Sequence, residues 1–265
     1  MTPSSPLLTA AGADPGMGVA ANGVAIASGK GGVGKTWFAI TLAHALARAG
    51  RRTLLFDGDL GLANVDIQLG LSPEFDLGAI LRHGLPLSRG ITSYAPAGFD
   101  VLAGQSGTGT LASMTAGRLH QVCDALVALA PAYDHLVVDL GAGVERTVRH
   151  LASRCRTCIV LITDEPTSLT DAYAFVKLLA GEAPRMDFRV VVNMARSRAE
   201  GERSYLTLLK ACQAFLKLDP RLAGTVRRDP RVKESIRHQT PLMVRHPSSP
   251  AAEDVAAVAA ALLRP

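Results

Sequence analysis

No apolar run in this chain is long enough to cross a bilayer. Stretches such as VAAVAAALL at 255–263 fall well short of the roughly 20 residues a spanning helix needs. Four cysteines in 265 residues do not make a disulfide framework. The seven histidines show no His-Glu-x-x-His or comparable ligand spacing, so no zinc site is legible. Charged residues are scarce at 19% against 48% hydrophobic, which excludes a disordered chain, and no Gly-x-y period suggests a fibre. The first 22 residues, MTPSSPLLTAAGADPGMGVAAN, lack a basic segment, and Pro and Gly interrupt any apolar run, so no secretory signal is present. They read as a flexible leader, 1–22, on a cytoplasmic protein whose single domain spans 23–265.

What is present suffices for a large core. A chain of this size buries about 70–75% of its unfolded surface on folding. The net charge is +5, and the excess is concentrated: residues 196–237 carry 11 basic and 5 acidic side chains. Such a flank suits nucleic acid, acidic lipid or an acidic protein, although an ordinary solvated helix face is the commoner meaning.

Short apolar runs rich in β-branched residues alternate with helix-period stretches. Strands are expected at 24–28, 53–57, 99–103, 135–140, 158–163, 188–193 and, more weakly, 222–226. Helices are expected at 35–49, 116–129, 145–153, 169–179, 201–216, 230–237 and 250–263. Strands apolar throughout, such as LVVDL and CIVLIT, suit a parallel sheet covered on both faces. The alternation predicts an α/β fold: a doubly wound, mostly parallel sheet of seven or eight strands flanked by helices, as in phosphate-loop nucleotide hydrolases.

The strongest motif is Gly29-Lys30-Gly31-Gly32-Val33-Gly34-Lys35-Thr36, which fits G-x-x-x-x-G-K-[ST] between a strand and an amphipathic helix. The glycines let backbone N–H groups curl around a phosphate, and the helix N-terminus adds its positive dipole end. Lys35 can set an ammonium on the β- and γ-phosphates, and the Thr36 hydroxyl can ligate Mg²⁺. Further on, Asp57 and Asp59 sit at the carboxyl end of the second strand, where open α/β sheets bind ligands. Asp139 closes the apolar strand HLVVDL and fits a carboxylate that holds Mg²⁺ through water.

A second lysine, Lys30, stands inside the loop, where an ordinary phosphate loop needs no cation. KGGVGKT resembles the deviant loop of the MinD/ParA ATPases. That resemblance implies an ATP-dependent homodimer, in which Lys30 of one subunit reaches the phosphates held by the other. It further implies that Asp59, within DGDLGLANVDIQLG, orients the attacking water and contributes to the Mg²⁺ site, with Asp57 in support. Gly141, in the GAG after Asp139, matches the second switch. Glu165 is implied to pair with Lys30 when nucleotide is absent, and Asn193 to hydrogen-bond adenine, favouring ATP over GTP.

DGDLGLANVDIQLG, VVDLGAGV and DEPTSLTDAYAFVKLL resemble the FlhG (FleN) branch of that family, regulators of flagellar number and placement. The implied partners are the flagellar GTPase FlhF, flagellar switch-complex components and an enhancer-binding transcription activator. The chain departs from the branch in four places. No DQA-x-x-L segment occurs in the leader, and the closing DVAAVAAALLRP is an Ala-rich packing helix rather than a membrane-targeting one. Trp37 replaces a small polar residue, and Arg227 stands where a proline is common on the adenine side, which is expected to loosen nucleotide affinity. A ParA-like ATPase binding nucleoid DNA through 196–237 is the competing function, with salt-sensitive DNA binding as its mark. Cys155-x-x-Cys158 reads as two structural thiols at the start of a strand. SGTGT at 106–110 resembles a phosphate cradle in composition only.

Overall fold

The computed structural model describes residues 18–104 and 114–264. Among them eight strands form one sheet: β1 (Ala20–Ala27), β2 (Thr53–Gly58), β3 (Ile91–Tyr94), β4 (Phe99–Leu102), β5 (His135–Leu140), β6 (Cys155–Ile162), β7 (Asp187–Ala195) and β8 (Arg221–Arg227). Their spatial order is β3-β4-β2-β5-β1-β6-β7-β8. All neighbours pair in parallel except β3 with β4. The helices among these residues are α1 (Lys35–Arg48), α2 (Val65–Leu69), α3 (Leu77–His83), α4 (Ala116–Leu129), α5 (Arg146–Ala152), α6 (Pro166–Glu182), α7 (Arg198–Leu216), α8 (Pro230–Arg237), α9 (Leu242–Arg245) and α10 (Pro250–Leu262).

The sheet is covered on both faces, as doubly wound topology requires. Successive strand side chains point to opposite faces: Leu54 and Phe56 of β2 join one core with Leu126, Leu151, Phe175 and Leu208 of α4 to α7. Leu55 between them joins the other, with Phe38, Leu42 and Leu46 of α1 and Val255 and Val258 of α10. Such double burial is why LVVDL and CIVLIT show no alternation. The closing helix α10 buries Ala251, Ala252, Val255, Val258 and Ala259, so its small residues are packing residues.

The expected sheet is therefore present, with differences at its margins. Strand β3 has no counterpart among the expected strands, because its ITSY is a four-residue edge strand too short and polar to stand out. Likewise α2, α3 and α9 have none among the expected helices, each of seven residues or fewer, too short to show a helical period. For α3 a local signal existed: Asp76 Oδ1 accepts a hydrogen bond from Ala79 N at 2.6 Å, and Gly84 ends the helix at φ 63°. Strand β1 begins at Ala20, inside the expected leader, because Ala20 N donates to Arg154 O at 2.9 Å. Strand β6 begins at Cys155, three residues earlier than expected, so Cys155 lies within it as well as Cys158. Both are buried and free, and burial pushes the Cys155 thiol up to about 12. The SGTGT stretch, and the leader up to residue 17, lie outside the described residues.

Candidate functional site

The loop between β1 and α1 takes its shape from three glycines. Gly32 and Gly34 adopt φ of +80° and +90°, a region open to glycine and strained for L side chains. A side chain at Gly34 would also lie 2.7 Å from the Asn193 amide nitrogen, and one at Gly29 would overlap the Asp171 backbone. Opposite them, Gly31 and Gly32 face open space. Two side chains brace the loop from outside: Ser28 donates to Lys30 O at 2.7 Å, and Asn193 Nδ2 donates to Val33 O at 2.8 Å. The first turn of α1 carries no acidic residue, which leaves its dipole end available to an anion. Lys35 begins that helix, 8% exposed; burial pulls its pKa down while Asp139 and Asp59 oppose the shift.

Three carboxylates face this loop. Asp57 is fully buried and engaged: Oδ1 accepts from Asp59 N at 3.2 Å, and Oδ2 from Asn64 N and Val65 N at 2.9 and 3.0 Å. Burial pushes its pKa up to about 7, against the pull of those amides. Asp59 is partly exposed and turns the chain by accepting from Gly61 N and Leu62 N at 3.3 and 3.0 Å. Asp139 is buried, and burial with the neighbouring Asp57 charge holds its pKa well above the usual carboxylate range, opposed by Thr36 and Lys35. Apart from the nearby Thr36 hydroxyl, which lowers its pKa, its carboxylate oxygens have no hydrogen-bond partner among the described residues. Two otherwise unpartnered buried carboxylate oxygens beside the Thr36 hydroxyl and Asp59 fit a hydrated Mg²⁺, which would remove the cost of leaving them unpaired. Gly141 follows at once, and a side chain there would touch Asp59 Oδ1 at 3.4 Å. Gly143 N donates to Ser28 O at 3.0 Å and ties this segment to the phosphate loop.

Lys30 does not point into its own loop. Its Nζ lies 2.5 Å from Glu165 Oε2 and 3.2 Å from Thr167 Oγ1, at the start of α6. Asn193, expected to contact adenine, lines the cleft, and its carboxamide also braces the loop. That side chain is 3% exposed, donates to Val33 O, and accepts from Met194 N at 2.9 Å, so it fastens β7 to the phosphate loop.

The loop, Asp59 and Asn193 line one cleft of about 630 Å³. Arg227, expected on the adenine side, lines it, and so do residues not anticipated: Val232 and Ile236 of α8, Asp229, Asn64 and Gln68. The four-residue spacing of Val232 and Ile236 was the available signal, one apolar stripe on an otherwise polar helix. Trp37 lines the cleft too, with its indole Nε1 buried and unpartnered. The basic surplus at 196–237 is divided rather than forming one face. Arg198 and Arg227 both pair with Asp254, while Arg228 and Lys233 stand at the cleft.

A strand–glycine loop–helix cradle at the carboxyl edge of a doubly wound sheet, with paired lysines and buried carboxylates around it, defines a phosphate-loop nucleotide-binding protein. Residues 24–242 match the CobQ/CobB/MinD/ParA nucleotide binding domain, and the chain belongs to that family. The antiactivator FleN of Pseudomonas aeruginosa is 36% identical over 236 residues, covering 89% of this chain and 84% of that protein. The flagellum site-determining protein YlxH of Helicobacter pylori is 29% identical, over 82% of this chain and 73% of its own. In fold, the chain is similar to the septum site-determining protein MinD of Pyrococcus horikoshii, complexed with Mg-ADP. The TM-score there is 0.76 at 24% identity, over 90% of this chain and 94% of that one. The chain is accordingly an ATPase of the MinD/ParA type, as the deviant loop suggested. Among the described residues, no helix is long and apolar enough to cross a membrane.

Proposed function

We propose that this chain is an ATP-dependent dimerising switch of the cytoplasm that regulates flagellar number, placement or gene expression through protein partners. The flagellar assignment rests on its similarity to FleN and YlxH. The observation that carries the switch is Lys30: a loop lysine directed away from its own cradle and held by Glu165.

With nucleotide bound, the loop amides and Lys35 would take the phosphates, and Thr36, Asp139 and Asp59 would hold Mg²⁺. The metal supplies charge neutralisation at the phosphate oxygens. Asp59, partly exposed at the cleft, orients the attacking water. The Lys30–Glu165 pair is half exposed, and pairs of that kind contribute only about 0–1 kcal/mol. Lys30 can therefore leave Glu165 at little cost and offset the transition-state charge across a dimer interface. ATP closes the dimer, a partner such as FlhF, a switch-complex component or an enhancer-binding activator binds it, and hydrolysis resets it.

The test is light scattering of wild type and Lys30→Ala with ATP and Mg²⁺ in a hydrolysis-blocked background. The wild type should form a dimer and the variant stay monomeric. An ATP-dependent dimer formed equally well by both would overturn the switch.

A further inference from the structure

One buried carboxylate far from the phosphate loop ties three elements together. Asp254, in the first half of α10, has a side chain only 1% exposed. Arg227, the last residue of β8, gives it three hydrogen bonds: backbone N to Oδ2 at 3.0 Å, Nε to Oδ2 at 2.7 Å, and Nη2 to Oδ1 at 3.0 Å. Arg198 of α7 adds Nη2 to Oδ1 at 3.1 Å. Burial alone would raise the Asp254 pKa, but these donors hold it below the usual carboxylate range. Arg227 Nη2 also reaches Pro250 O at 3.3 Å. Both the main chain and the side chain of Arg227 are thus bound to α10.

The next two residues are anchored as well. Arg228 N donates to Ala195 O at 2.8 Å, at the end of β7. Asp229 Oδ1 caps α8 through Arg231 N at 3.0 Å, and its Oδ2 accepts from Ala251 N of α10 at 3.4 Å. Beyond them α8 presents Val232 and Ile236 to the cleft. The phosphate loop occupies one end of that cleft. The apolar pair and the Arg227–Asp229 turn form the part left for a base and its sugar, where an apolar wall with a few polar groups is the chemistry a nucleoside needs.

We propose that α10 positions the nucleoside side of the cleft through Asp254 and Arg227. These two are positioning residues that set nucleotide affinity without touching the phosphates. The inference builds on the nucleotide-binding reading of the cleft. It also reverses the expectation for Arg227: the arginine at this place tightens the base-side wall instead of loosening it. Bidentate pairing matters because two parallel N–H···O contacts fix orientation as well as distance.

The experiment compares binding of ATP and of inorganic tripolyphosphate by calorimetry in wild type, Arg227→Gln and Asp254→Asn. Tripolyphosphate engages the phosphate loop alone. The variants should lose about tenfold in ATP affinity and keep tripolyphosphate affinity. Unchanged ATP affinity, or equal losses for both ligands, would overturn the proposal. Should Asp254→Asn fail to fold, Arg227→Lys decides in its place, since it keeps a cation and loses the bidentate geometry. It should show a smaller loss, for ATP alone, and no loss would count against the clamp. Wild-type protein binding neither ligand would overturn the nucleotide-binding reading, and this proposal with it.

Discussion

Asp57 and Asp139 stand opposite one another in the parallel register of β2 and β5, both buried, one carboxylate holding three backbone amides and the other facing only the Thr36 hydroxyl. The pairing divides their work. Asp57 spends its oxygens on the backbone from Asp59 to Val65, whereas those of Asp139 hold no backbone amide. Burial raises the pKa of both; at Asp139 the neighbouring Asp57 charge adds to it, since like charges disfavour ionisation.

Replacing Asp57 with Ala should therefore loosen that segment before it touches the phosphate loop. The amides of Asn64 and Val65 lose their acceptor, and their hydrogen exchange should quicken by roughly tenfold or more, the equivalent of a lost hydrogen bond of about 1–2 kcal/mol. Exchange at wild-type rates would show that the carboxylate does not hold this segment.

Lys35→Ala removes the buried ammonium at the head of α1. Charge-assisted bonds of this kind contribute about 1.5–3 kcal/mol, so nucleotide affinity should fall by roughly 10- to 100-fold. A titration following fluorescence of Trp37, the single tryptophan and a residue of the cleft wall, reads it directly.

Asp59→Ala should keep nucleotide binding and lose hydrolysis by roughly 10²- to 10⁴-fold, the usual contribution of a group that handles the proton or orients the water. Steady-state phosphate release at the wild-type rate would remove Asp59 from the mechanism.

Gly34→Ala should be damaging on two counts. The residue holds φ +90°, and its new Cβ would meet Asn193 Nδ2 at 2.7 Å. Backbone strain of this type costs about 1–3 kcal/mol, and the Asn193 to Val33 bond must shift besides. Thermal melting should fall by several degrees together with nucleotide affinity, whereas Gly31→Ala, which faces open space, should leave the melt unchanged.

His44 supplies a pH test. Burial, with Arg48 nearby, lowers its pKa to about 4 from an ordinary 6.5. Above pH 6.5 the ring is neutral in both folded and unfolded chains. Between 6.5 and 4 only the unfolded chain takes up the proton, so this group's contribution to stability is lost as pH falls through that window. Wild type should lose more melting temperature than His44→Gln between pH 7 and 4. Parallel curves would show that His44 is not the proton-sensitive group.

Much of this protein was legible in its residues because the signals are local. The phosphate loop is read from eight consecutive residues, among them glycines whose positive φ other residues rarely adopt, and its strand and helix are its immediate neighbours. Buried parallel strands announce themselves as apolar runs, and Lys30 is visible because its position inside the loop is unusual. What the tertiary structure decided depends on residues far apart in the chain. Asn193 meets Val33 across 160 positions, a contact that fastens β7 to the loop. Asp57 and Asp139 become a pair only through the register of β2 with β5. Arg227 finds its partner, Asp254, 27 residues further along the chain. Sequence spacing cannot reveal such contacts, because burial and hydrogen bonding are settled by which elements the sheet order brings side by side.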